Sequence, residues 1–289
     1  MEGVLGAVKH SGRLLDLRET RFVDISGMVA LVCASERLSE RERPQILWPQ
    51  DGRTMDYFHW SGLAETLATI FAVEVPANDR PTARYIRQVD GTTEVLLPAS
   101  AFTLQKYSLD DSFQEMWLGQ VVERTLLKLS GESVSEYIKS GSFRHMARAL
   151  WTISIELAAN AREHSSARSV YLAAFAHTGT GRALDVAISD PGVGIPATIA
   201  YTHPNLDDTD ALRVAFEAGG TSTDDKARGM GLPIVAELVE QFGGLISVRS
   251  GFAHLKANAA DRRIIKREQQ FEGTFYTGPY RVRTQLGGF

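Results

Sequence analysis

The chain has 289 residues, 44% of them hydrophobic and 23% charged, which suits a folded protein of one large or two modest domains and excludes a disordered chain. With 31 basic against 35 acidic residues the net charge is −4, which disfavours nucleic-acid binding by bulk charge, and one cysteine, Cys33, excludes a disulfide framework or a thiolate zinc cluster. No apolar run is long enough to span a bilayer, and the first 16 residues lack a secretory signal pattern, so a cytoplasmic protein without a membrane contact is expected.

Residues 14–17 read as a strand. Residues 27–38 read as a helix with Met28, Leu31, Val32 and Ser35 on one side and Cys33 among them. A second strand is expected at 45–48, between Pro44 and Pro49, and a second helix at 55–70, with Met55, Phe58, Leu63 and Leu67 as its apolar positions. Residues 71–75 alternate like a strand and stop at Pro76. This β-α-β-α-β order predicts parallel pairing through crossover helices. Residues 77–87 are polar and suit a linker; 92–97 suit a strand leading into the second unit. Helices are expected at 112–129 and 143–164, the latter with a stripe of Met146, Leu150, Ile153 and Leu157. Strands follow at 169–175 and 184–189, then a helix at 210–217 and a Gly/Thr/Ser/Asp loop. A helix at 232–242 closes on Gly243-Gly244, and the last strands are expected at 245–248 and 274–280. The basic stretch 254–270 suits a hairpin or an inserted loop; Lys256, Arg262, Arg263, Lys266 and Arg267 fit a partner or nucleic-acid patch, but fit a solvated hairpin better.

Three short motifs can carry chemistry. Glu156, Asn160 and His164 are four residues apart, so they form one row along a helix and offer a carboxylate, an amide oxygen and an imidazole to one hollow. The carboxylate can deprotonate water and the amide oxygen is a hard ligand suited to Mg²⁺, although a polar row also suits a solvated face. Asp190-Pro-Gly192-Val-Gly194 follows a strand directly; the Asp can accept from an exocyclic amine, and the glycines let the backbone approach a flat base or simply make a tight turn. Gly219-Gly-Thr221-Ser222-Thr-Asp leads to Arg228-Gly229-Met230-Gly231-Leu232-Pro233 at a helix start, where exposed N–H groups form a phosphate site, or the loop is flexible and the helix merely capped.

The order and spacing of these motifs, with Gly273-Thr274 in a late strand, resemble the Bergerat-fold (GHKL) ATP-binding superfamily of gyrase, heat-shock chaperones, mismatch-repair ATPases and histidine kinases over about residues 112–280. The resemblance implies ATP and Mg²⁺ as cofactors and a two-layer α/β sandwich. It implies Glu156 as the base that activates water, Asn160 as the Mg²⁺ ligand and His164 near the phosphates. Asp190 matches the acceptor for the adenine amine, with Gly192 and Gly194 along the base and Thr274 near it. Gly229 and Gly231 match phosphate-cradling glycines, with Met230 and Leu232 beside them; Thr221, Ser222, Lys226 and Arg228 fall on a lid. Lys226 and Arg228 suit either transferring phosphate charge or solvent.

The stretch from Leu14 to Leu31, with Asp24-Ile-Ser26-Gly27 before an amphipathic helix, resembles a STAS domain over about residues 14–75. The resemblance makes Ser26 a possible phosphoacceptor; Ser26 also suits a helix N-cap. One or two N-terminal strands of that family are missing, so the sheet edge is expected to be exposed or covered by the second domain. The expected fold class is therefore α/β (α+β): a small STAS-like unit at 1–76, a linker and lead-in strand at 77–111, and a GHKL ATP-binding domain at 112–289. Three functions share these residues: an ATP hydrolase switching a protein partner, a serine kinase acting on a STAS-type serine, and a non-catalytic interaction protein. A histidine kinase fits less well, because His10, His59 and His145 lack the setting of a phosphoacceptor helix. A homo-oligomer is compatible with all three.

Overall fold

Strand β1 (Leu14–Asp16) pairs in parallel with β2 (Gln45–Leu47), Leu15 opposite Ile46. A parallel pair needs a crossover, and α1 (Ile25–Ser39) supplies it. The Asp24 carboxylate accepts from the Gly27 N–H at 2.6 Å, so Asp24 caps α1 and the N-cap role expected of Ser26 does not hold. These elements belong to a computed structural model of the chain, which describes residues 14–39, 44–77, 86–89, 92–95, 102–108, 141–167, 169–177, 183–217 and 231–281.

The single helix expected at 55–70 is two: α2 (Gly52–Ser61) and α3 (Leu63–Phe71). Gly62 sits between them at φ 74° and donates to His59 O, a left-handed stop that costs glycine little. Both helices bury an apolar face, through Phe58, Leu63 and Leu67, which is why the periodicity runs across the break. The strand expected at 71–75 is not formed. Phe71 is the last residue of α3, Ala72 is left-handed, and the Val73 N–H returns to Ala68 O at 3.0 Å. The described order of this unit is therefore β-α-β-α-α.

Beyond a two-stranded antiparallel pair, β3 (Ile86–Val89) with β4 (Thr92–Val95), lies a five-stranded antiparallel sheet. Its strands are β5 (Phe102–Ser108), β6 (Ser169–His177), β7 (Ala183–Asp190), β8 (Ile246–Ala257) and β9 (Arg262–Arg281), in the order β5-β6-β7-β9-β8. The edge strand β5 lies within 77–111, whereas the helix expected at 112–129 lies outside the described residues.

Alternate residues of the sheet serve two cores. Val170, Leu172, Val186, Ile188 and Tyr276 face α4 (Gly141–His164), α6 (Asp208–Ala215) and α7 (Gly231–Gln241). A short α5 (Ile195–Ile199) precedes α6. Tyr171, Ala173, Ala187, Phe271 and Phe275 face the other way and share a core with α1, α2 and α3. The amino-terminal unit is thus a third layer on the sheet. This explains why α1 is buried nearly all round: Met28, Leu31 and Val29 are each fully enclosed.

The basic stretch 254–270 is the far part of the long β8–β9 hairpin, paired from Gly251–Phe271 to Ala257–Arg262 with a bulge near Ser250. Its tip turns on Asn258, whose side-chain oxygen accepts from the Ala260 and Asp261 N–H groups at 2.8 Å. Arg262 lies over the Phe216 ring at 5.9 Å and ties the hairpin to the end of α6.

Candidate functional site

Helix α4 is the spine of the site. Its buried stripe, Leu150, Ile153 and Leu157, holds it on the sheet and turns the row Glu156, Asn160 and His164 to one side of that contact. At one end, Glu156 meets the first residue of α7: a Cβ on Gly231 would collide with its carboxylate. Burial, with Glu163 nearby, raises the Glu156 carboxyl above its ordinary value. At the other end, Ser165 O accepts from the Val193 N–H at 2.8 Å, and a Cβ on Gly192 would strike Ser165. Helix geometry puts these two ends about 13 Å apart. His164 stands at the second end, where its carbonyl accepts from Thr198 Oγ1 at 3.1 Å.

Asp190 ends β7 and is 3% exposed, opposite Thr274 of β9. Burial pushes its carboxyl up to about 6; the Gly192 N–H at 2.9 Å, the Ser165 hydroxyl and the Arg37 charge oppose that rise. Thr274 is placed by Ser189, whose hydroxyl donates to Thr274 O at 2.8 Å, and by Ser250 Oγ at 3.3 Å. Ser250 also donates to Gly273 O and accepts from the Ile195 N–H, each at 2.8 Å, which fixes the chain just after Gly194. Gly273 has φ 99°, and a Cβ there would run into Asp190 O. Gly273→Ala is expected to lower unfolding free energy by about 3 kcal/mol or more, read by urea denaturation, because both strain and a backbone clash arise. A variant as stable as the wild type would refute this packing.

One polar atom in the row lacks a partner: Asn160 Nδ2 is buried without a hydrogen bond. A buried amide N–H left alone needs an acceptor from outside the protein, and a phosphate oxygen is one. No group of three or more His, Cys, Asp or Glu among the described residues could hold a metal by itself. A hard cation here would rest on the Asn160 carboxamide and on oxygens of a bound anion, as Mg²⁺ does with phosphates. The site therefore offers a buried carboxylate acceptor at one end and a helix N-terminus at the other. That suits a ligand with an amine-bearing base and an anionic tail.

The structure sets Glu156 against Gly231 at one end of α4 and Asp190, Gly192, Gly194 and Thr274 at the other, with Asn160 between and His164 at the second end; Leu232 is buried in the core with Leu157. Thr221, Ser222, Lys226, Arg228, Gly229 and Met230 lie outside the described residues. Sequence reasoning missed Ser165, Ser189 and Ser250, which carry no motif of their own, and Arg37. Ser26, Cys33 and Arg37 are spaced seven and four residues apart, one helical row, and each touches the sheet or its loop. Burial pushes the Cys33 thiol well up, so it packs as an inert side chain beside Ser189.

Comparison with curated proteins and with solved structures finds no match. Residues 146–284 match the family model described as histidine kinase-, DNA gyrase B-, and HSP90-like ATPase. The segment that holds Glu156, Asp190, Gly231 and Thr274 is therefore similar to this family of ATPases.

Proposed function

We propose that the chain binds Mg-ATP in the hollow along α4, hydrolyses it, and so switches contacts with a protein partner carried by the amino-terminal layer. The observation that carries this reading is the span of α4, which joins the Asp190 loop to the start of α7. Asp190 accepts from the adenine amine, with Gly192 and Gly194 against the base. Asn160 would hold Mg²⁺, which when bound neutralises phosphate charge. Glu156 orients a water and takes its proton as the water oxygen attacks the γ-phosphorus and the bridging oxygen leaves with ADP. The α7 N-terminus stabilises the phosphate charge.

The kinase reading uses the same base and the same metal ligand. Ser26, its candidate acceptor in this chain, is half-buried, and its hydroxyl lies 2.9 Å from Thr277 Oγ1 on the sheet face away from Asp190. Titrating the protein with a non-hydrolysable ATP analogue and Mg²⁺, then measuring phosphate release from ATP, tests the proposal. Saturable binding with release is expected. No binding by folded protein would leave an interaction module, and label transfer to Ser26 or to an added STAS-type protein would turn the reading to a kinase.

A further inference from the structure

Arg37 reaches the candidate nucleotide loop from the opposite side of the sheet. Its Nε donates to Pro191 O at 2.9 Å, its Nη2 donates to Gly192 O, and its Nη1 lies 3.3 Å from a Glu272 carboxylate oxygen. Two consecutive peptide units are therefore gripped at both ends. In the first, the carbonyl of Pro191 is held by Arg37 while the Gly192 N–H is held by the Asp190 carboxylate at 2.9 Å. In the second, the carbonyl of Gly192 is held by Arg37 while the Val193 N–H is held by Ser165 O at 2.8 Å. A planar guanidinium offers donors in a fixed fork, so one side chain sets the tilt of both planes. The tilt of the first decides where the Asp190 carboxylate finds its backbone donor. It thereby decides which oxygen remains for a ligand.

The arginine is itself well placed. Ser26 Oγ meets Thr277 one end of α1 away, and Cys33 lies beside Ser189 on the same row. Ser189 and Asp190 point to opposite faces of β7, so α1 and the pocket sit on opposite sides of one strand.

We propose that Arg37, contributed by the amino-terminal layer, is a positioning residue for the nucleotide loop: it holds Pro191 and Gly192 so that Asp190 presents its carboxylate to the adenine amine. This deepens the proposed ATP site and rests on it for the identity of the ligand. Coupling is reciprocal, so a partner that pulls α1 from the sheet weakens nucleotide binding by the factor by which nucleotide resists that pull.

Full-length wild type, Arg37→Ala, Arg37→Lys and Glu272→Gln are compared in two arms. In the first, amide hydrogen exchange is followed at Gly192 and Val193 without nucleotide. Arg37→Ala is expected to speed exchange there by tenfold or more and to leave exchange in β9 unchanged; Glu272→Gln is expected to match wild type. In the second, titration with a Mg-bound non-hydrolysable ATP analogue is expected to show about tenfold weaker binding for Arg37→Ala and an intermediate loss for Arg37→Lys. In turnover the loss should appear in KM and not in kcat. Equal exchange at the loop in wild type and Arg37→Ala overturns the proposal, as does unchanged affinity. Should Arg37→Ala not fold, Arg37→Lys carries both arms with the same signs. A wild type that binds no nucleotide, with faster loop exchange in the Arg37 variants, defeats the ATP reading while upholding the hold of Arg37 on the loop.

Discussion

Glu156→Ala is expected to release phosphate from ATP about 100- to 10,000-fold more slowly than wild type, the range for removing a general base. Binding of the analogue should stay within a few-fold, because the adenine end of the site is untouched. Removing a negative charge from beside the start of α7 should, within that range, tighten the polyphosphate end. Glu156→Gln separates the two duties of the carboxylate. It keeps the shape and can still orient a water, but it cannot take a proton, so a rate close to that of Glu156→Ala assigns the proton transfer. The rate should also depend on pH. Partial burial and Glu163 raise the Glu156 carboxyl, so the base form is lost, and turnover with it, as pH falls through that raised value. Single-turnover phosphate release is the measurement. A Glu156→Ala chain with wild-type turnover would remove Glu156 from the chemistry.

Asp190→Asn is expected to move binding and stability in opposite directions. A hydrogen bond to a charged group contributes about 1.5–3 kcal/mol, so affinity for the ATP analogue should fall about 10- to 150-fold. Stability without ligand should not fall. The Asp190 carboxyl is held at about 6 in the folded chain, against an ordinary value near 4. The buried carboxylate thus opposes folding above about pH 6, by up to about 3 kcal/mol. That penalty fades as pH drops through about 6 and is gone below about pH 4. The asparagine variant lacks it, so its advantage over wild type should be largest near pH 8 and should close toward pH 4. Urea denaturation at several pH values checks the sign. A variant less stable than wild type at pH 8 would mean that the charge is needed by Gly192 and Ser165 more than burial penalises it.

Much of the carboxyl-terminal half was legible in sequence. The stripe on α4 and the Gly243-Gly244 stop after α7 are local signals, and tertiary packing agrees with them. The similarity to the ATPase family was legible because the order of the motifs is unusual even though each is weak. The amino-terminal half read less well, for physical reasons. Leu63 and Leu67 continue the apolar period of α2 past Gly62, so the pattern concealed a break that one left-handed residue creates. Phe71 and Val73 look like alternating strand residues, but Phe71 is buried as a helix end and Val73 is exposed at 42%. The third layer left a trace that period-2 reasoning discards. Residues 170–176, Val-Tyr-Leu-Ala-Ala-Phe-Ala, are apolar without interruption, as expected for a strand buried on both faces. Arg37 was invisible because a charged residue at the end of an apolar helix ordinarily faces water, and its acceptors are carbonyls that sequence does not mark.

Ser26 and Thr277 touch across 251 positions of chain. During synthesis α1 leaves the ribosome long before β9 exists, and at about 5–20 residues per second the interval is roughly 12–50 s. Until β6 and β7 are made, the apolar run Met28–Val32 has no strand to cover it, and until β9 is made Ser26 lacks Thr277. Nascent chains halted before residue 169 should therefore bind a holdase chaperone through the segment around Met28–Leu31, and completion of β6 and β7 should release it.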